Sequence, residues 1–203
     1  MTGPAGGSIV FTVDDLFELP DWGLRAEVLD GRLLLAPPQP RRHERIADTL
    51  AARFRLVLPA DVAVRRDDAV RLPDGDGPVP DLFVCTDTDW PRGVPARDVH
   101  TVVEVVSADG RHIDRVWKRE SYARAGVPCY WRLEPEAWPG YRGRLPVITV
   151  RLRDRAGWRE LVAPAGRLHT LPLAYARDLD DGPVCVPVRL DPGTLVTRWA
   201  TTR

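Results

Sequence analysis

Between residues 41 and 58 the apolar side chains Ile46, Leu50, Phe54 and Val57 recur at helical spacing, and Pro59 stops the pattern. One long amphipathic helix is predicted there. Residues 79–85 and 101–106 are instead short continuous runs of Val, Leu and Phe bounded by Pro, Asp and Gly, the pattern of strands buried on both faces. A further strand is expected over 62–72, followed by the turn-rich Pro-Asp-Gly-Asp-Gly-Pro. A second helix is expected over 112–125, closed by Gly126 and Pro128, and a strand over 129–133. Nearer the start, Thr12 and Asp15 have the spacing of a capping box opening a short helix to about residue 19. Residues 26–35 read as a hairpin turning on Asp30-Gly31. Helix, three strands, helix and strand in that order predict an α/β sheet with helices packed against it. Beyond it, 145–153 and 158–163 flank Asp154-Arg155-Ala156-Gly157 as a second hairpin, and Pro-rich segments with short strands follow.

The chain has 203 residues, 44% of them hydrophobic and 29% charged, which suits one globular domain of ordinary size. Its formal net charge is zero, so any attraction to nucleic acid must come from a local basic site. No positively charged, apolar leader opens the sequence, and no run approaches the roughly 20 apolar residues of a membrane span. Cys85, Cys129 and Cys185 are odd in number and lack C-x-x-C spacing. They point to reduced thiols in a cytoplasm, away from a disulfide framework or structural zinc.

Lys118 is the sole lysine beside 28 arginines. A bias that strong spares a lysine where a compact, titratable ammonium is needed and a planar guanidinium cannot serve. Asp81 follows Pro80 at the start of one apolar run, and Glu104 lies inside another, Thr-Val-Val-Glu-Val-Val-Ser. Buried charges need partners. Two carboxylates about 4 Å apart repel by about 4 kcal/mol at an effective dielectric of about 20, and a divalent cation removes that cost. Carboxylate and carbonyl oxygens favour Mg²⁺ or Mn²⁺ over zinc, and the carbonyl of Val105 is a natural third ligand. The bland account makes Asp81 a turn acid and pairs Glu104 with a buried arginine. Asp114, Lys118 and Tyr122 fall at i, i+4 and i+8 on one helix face. That face either carries an ordinary surface Asp–Lys pair or turns to the acids, with Asp114 holding the ammonium.

Pro80-Asp81, then Glu104-Val105-Val106-Ser107, then Asp114, Lys118 and Tyr122, then Ala125-Gly126-Val127-Pro128 with Tyr130-Trp131, in that order, resemble the Uma-two-type restriction endonuclease-like family of the PD-(D/E)XK nuclease superfamily. The hairpin Glu27-Val28-Leu29-Asp30-Gly31 is also similar to it. The resemblance covers about residues 11–171. It implies a restriction-endonuclease-like mixed sheet flanked by helices, with an N-terminal hairpin and a β-rich C-terminal extension over 172–203. It also implies Asp81 and Glu104 as metal ligands and Lys118 as the catalytic lysine. The chain departs from the superfamily at Val106, where E-x-K spacing would put lysine; the resemblance implies that the lysine has moved to the following helix.

The expectation is therefore an endonuclease that hydrolyses DNA phosphodiesters with Mg²⁺ or Mn²⁺, using Asp81, Glu104 and Lys118, with Asp114 and Glu27 as supporting acids. A homodimer would supply two sites for cutting a duplex. The alternative is a catalytically silent nucleic-acid-binding or regulatory module on the same fold. His43, at the start of the long helix, could touch phosphate or serve only as a helix-start residue. Seven arginines against two acids between residues 140 and 170, with Arg151, Arg153 and Arg155 alternating, offer either a phosphate-binding face or a soluble hairpin surface.

Overall fold

The computed structural model describes residues 10–106, 116–178 and 182–196. A short helix α1 (Val13–Leu16) starts at Thr12, whose amide donates to Asp15 Oδ2 at 2.6 Å, as the capping-box spacing predicted. Asp30 and Gly31 both take positive φ, 54° and 66°, and turn β1 (Arg25–Leu29) back antiparallel onto β2 (Arg32–Ala36). The long helix α2 (Arg41–Arg55) buries Ile46, Leu50 and Phe54. It ends before Val57, which is 39% exposed despite fitting the helical spacing.

The single strand expected over 62–72 is two strands. Asp67 takes φ 49°, a left-handed conformation that breaks the extended run between β3 (Val62–Arg65) and β4 (Val70–Arg71). After them come β5 (Leu82–Thr86), β6 (Val94–Pro95), β7 (Val99–Val105), α3 (Lys118–Arg124) and β8 (Cys129–Glu134). The chain continues through the hairpin β9 (Val147–Asp154) and β10 (Gly157–Pro164), then a second one, β11 (His169–Asp178) and β12 (Gly182–Leu190). Strand β9 stops at Asp154, so Arg155 falls in the turn and leaves the expected arginine alternation.

Six strands form the central sheet in the order β10-β9-β8-β7-β5-β3, with β7 and β8 parallel and the other neighbours antiparallel. Every residue of β7 is buried, as its unbroken apolar pattern requires of a central strand covered on both faces. On one face Val84, Val103, Trp131 and Leu133 pack with Leu50 and Phe54 of α2 and with Leu171 and Leu173 of β11. Trp131 is the centre of this layer. Its ring meets Phe54 edge-on at a centroid separation of 5.2 Å, and its indole N–H donates to the Pro172 carbonyl at 3.0 Å. The opposite face packs Phe83, Val102 and Tyr130 under Tyr122 of α3. Glu104 alternates onto this second face. The β5–β7 register, Leu82 opposite Val103, continued by one residue puts Asp81 across from Glu104. Among the described residues no helix is long and apolar enough to cross a membrane.

His100 on β7 shows how far the interior resists charge. Burial, and then the nearby Arg177 guanidinium, push its pKa down to about 4, while Nε2 faces the Thr86 hydroxyl at 3.2 Å. The unfolded chain takes up a proton near pH 6.5 that the folded chain declines, so folding stability should fall as pH drops from about 6.5 towards about 4. His100→Gln should flatten that part of the profile. Denaturant unfolding followed across this range checks it; an unchanged slope in the variant would exclude His100 as the source.

Candidate active site

The turn-rich stretch after β4 docks the N-terminal hairpin onto the sheet. Asp76 accepts hydrogen bonds from the amides of Asp30 at 2.7 Å and Gly31 at 3.0 Å, and Val28 and Gly77 exchange backbone bonds at 3.1 and 2.9 Å. A side chain at Gly77 would lie within 3.0 Å of Val13, so glycine is needed for this close approach. Two residues on, the Val79 amide donates to Glu27 Oε2 at 3.2 Å and the Val79 carbonyl accepts from Arg25 at 3.3 Å. Arg25 and Glu27, two apart on β1, therefore face the same way. They point towards the start of β5.

Asp81, Glu104 and Glu27 meet His43, Arg25 and Lys118 there. Asp81, 2% exposed, accepts from the Val105 amide at 2.7 Å through Oδ2. Its Oδ1 lies 2.8 Å from His43 Nε2, off line for a straight hydrogen bond, and 3.3 Å from Arg25. Burial alone would raise the Asp81 pKa, but His43, then Arg25 and Lys118, together hold it below the ordinary carboxylate range. Glu104, 1% exposed, receives the Lys118 ammonium at 3.4 Å and the Tyr122 hydroxyl at 3.4 Å. The same ammonium stands 3.0 Å from Glu27 Oε2. Arg66 ties the assembly to α2, reaching the Asp81 carbonyl at 3.4 Å while its guanidinium pairs with Glu44 and Asp48.

The expected residues Asp81, Glu104, Lys118 and Glu27 thus share one site, at the edge of a cavity of about 640 Å³ that Val105 also lines. Asp114 lies outside the described residues. Among the described residues, Glu27 and Glu104 both pair with the ammonium. Two members were missed or undervalued in the sequence. His43 comes from the first turn of α2, and its only sequence signal was position. Arg25 carried none beyond sitting two residues before Glu27. Of the alternating arginines, Arg151 lies 3.7 Å from Glu160 and over the Trp158 ring at 5.2 Å, on the outer strands.

A divalent ion is the group that such a site implies, and the donor chemistry fits one. Asp81 and Glu104 offer hard oxygens on one cavity, and the backbone of Val105 already contacts Asp81. Among the described residues no set of three His, Cys, Asp or Glu side chains is grouped to enclose an ion.

The mixed sheet flanked by helices is a nuclease-like fold of the restriction-endonuclease type. The chain belongs to the Uma2 family, described as "Putative restriction endonuclease", whose model matches residues 13–169. That family generally uses divalent metals. The fold is similar to the crystal structure of a putative nuclease belonging to DUF820 from Anabaena variabilis, with a TM-score of 0.60 and 14% identity, covering 80% of this chain and 89% of that one. No curated protein matches the chain.

Because Lys118 and Glu104 are both nearly enclosed, removing one partner leaves a buried charge less compensated. Lys118→Met should cost about 3–5 kcal/mol of folding stability, and Glu104→Gln in that background should recover part of it. Urea unfolding of the two single variants and the double variant measures this. Purely additive losses would show that the ammonium does not offset Glu104.

Proposed function

We propose that this protein is an endonuclease that hydrolyses phosphodiester bonds in DNA with Mg²⁺ or Mn²⁺. The observation that carries the reading is the position of the lone lysine. Its ammonium stands 3.4 Å from Glu104 and 3.0 Å from Glu27, beside Asp81, on a cavity a phosphate could enter.

Asp81 and Glu104, with the Val105 carbonyl, would hold the ion. When bound, it supplies Lewis-acid stabilisation of charge on the phosphate. Lys118 donates hydrogen bonds that orient the attacking water and offset charge on the non-bridging oxygens. Glu27 fixes the ammonium in place. Arg25 and His43 hold the Asp81 carboxylate ionised and set its rotamer. In the reaction the water oxygen bonds to phosphorus and the bond from phosphorus to the leaving oxygen breaks. The attacking water gives up a proton and the leaving oxygen takes one up, leaving phosphate on one product and hydroxyl on the other.

Asp81→Asn, Glu104→Gln and Lys118→Met should each lower metal-dependent nicking of supercoiled plasmid by about 10²-fold or more, with native-like circular dichroism. Chelation of divalent ions should abolish nicking by the unsubstituted protein. Cleavage undiminished in all three variants overturns the assignment. DNA binding without any nicking would select the silent module instead.

A further inference from the structure

The catalytic groups proposed above are too enclosed for a duplex lying on the surface to reach. Asp81, Glu104 and Lys118 are 2%, 1% and 4% exposed, and the way to them is the cavity of about 640 Å³. That volume falls in the range of about 300–1,000 Å³ that accommodates a single small ligand, the scale of a nucleotide. A double helix is far larger, since its major groove alone is about 12 Å across.

The cavity is also chemically mixed. Its lining joins the acids and their partners to Leu33, Leu34, Leu35, Pro37, Pro38 and Pro40. Leu34 is the cross-strand partner of Glu27, so the apolar wall adjoins the polar end within one hairpin. Leu35 is 45% exposed, a large apolar side chain left in solvent beside a buried ionic cluster. Arg42 and Glu136, 3.8 Å apart, join α2 to the segment after β8 at the rim. A phosphate suits the charged part of that lining. The leucines and prolines offer a flat base an apolar surface in place of part of its stack.

We infer that the substrate is a nucleic-acid strand out of its duplex, with an unpaired base against the leucine–proline wall next to the scissile phosphate. Single strands, flaps and frayed ends present such a base without the cost of unstacking it. The inference rests on the nuclease reading and narrows its substrate.

The test uses the full chain with Mg²⁺ or Mn²⁺ and end-labelled DNA of one sequence, as single strand, blunt duplex and flapped duplex, plus a single strand with one abasic nucleotide stepped along it. Single-stranded and flapped DNA should be cut at least tenfold faster than blunt duplex. An abasic nucleotide beside the scissile bond should raise KM and lower kcat/KM at least tenfold. In Leu35→Asp, whose exposed position spares the fold, intact and abasic strands should be cut alike. Blunt duplex cut as fast as the single strand, or indifference to base removal, overturns this inference and leaves the nuclease standing. If the unsubstituted protein cuts none of the substrates, both readings fall together.

Discussion

Six ionisable side chains share a small buried volume, and their mutual compensation sets the terms for the rest of the structure. A carboxylate taken from water without a partner neutralises itself or destabilises the fold. Asp81 and Glu104 escape this because His43, Arg25 and Lys118 arrive from three different elements. Glu27 completes the set by dividing the lysine between two carboxylates. Each partner is ordinary; their convergence is not. Hydrophobic packing alone would never select an arrangement in which the central strand carries a buried carboxyl group.

The surrounding architecture can be understood as the means of delivering those groups. The β5–β7 register sets Asp81 opposite Glu104, and the bond from the Val105 amide locks the Asp81 side chain to that register. On the far face, Phe54 and Trp131 fix α2 against the sheet, which places its first turn and His43 within reach. Asp76 and Gly77 clamp the hairpin that carries Arg25 and Glu27. The described residues of the last hairpin do not line the cavity. That hairpin seals the core behind it, with Thr101 donating to the Ala174 carbonyl at 2.7 Å and Arg177 to that of Val99 at 2.6 Å.

Lys118 reaches Glu104 from the helix that precedes β8, not from the strand that carries the acid. Position 106 is occupied by a buried valine whose amide donates to the Leu133 carbonyl, so the strand end there serves the sheet. An ammonium projected from the first turn of α3 reaches the same carboxylate from the helix side. The four-carbon stem of lysine spans that gap, with its apolar length packed inside and its charge at the acids. Arginine's broader fork would have to fit between Glu27 and Glu104, which a compact ammonium does more readily.

Local chemistry in the sequence was enough for the elements whose cause is local. The Asp30-Gly31 turn, the α2 stripe and the unbroken apolar run of β7 each follow from a few adjacent residues. The two strand acids and the lone lysine were visible because they break the patterns around them. Where sequence reading failed, the cause was non-local. Asp67 split an apparently continuous strand through a backbone conformation that alternation does not encode. The pairing of Arg25 and His43 with Asp81 was not legible because that partner lies 56 and 38 positions away. The pairing of Glu27 with the lysine and the burial of Asp81, Glu104 and Lys118 belong to the tertiary structure alone. They arise where a hairpin, a helix and a sheet edge enclose a common space, and enclosure is a property of no single segment.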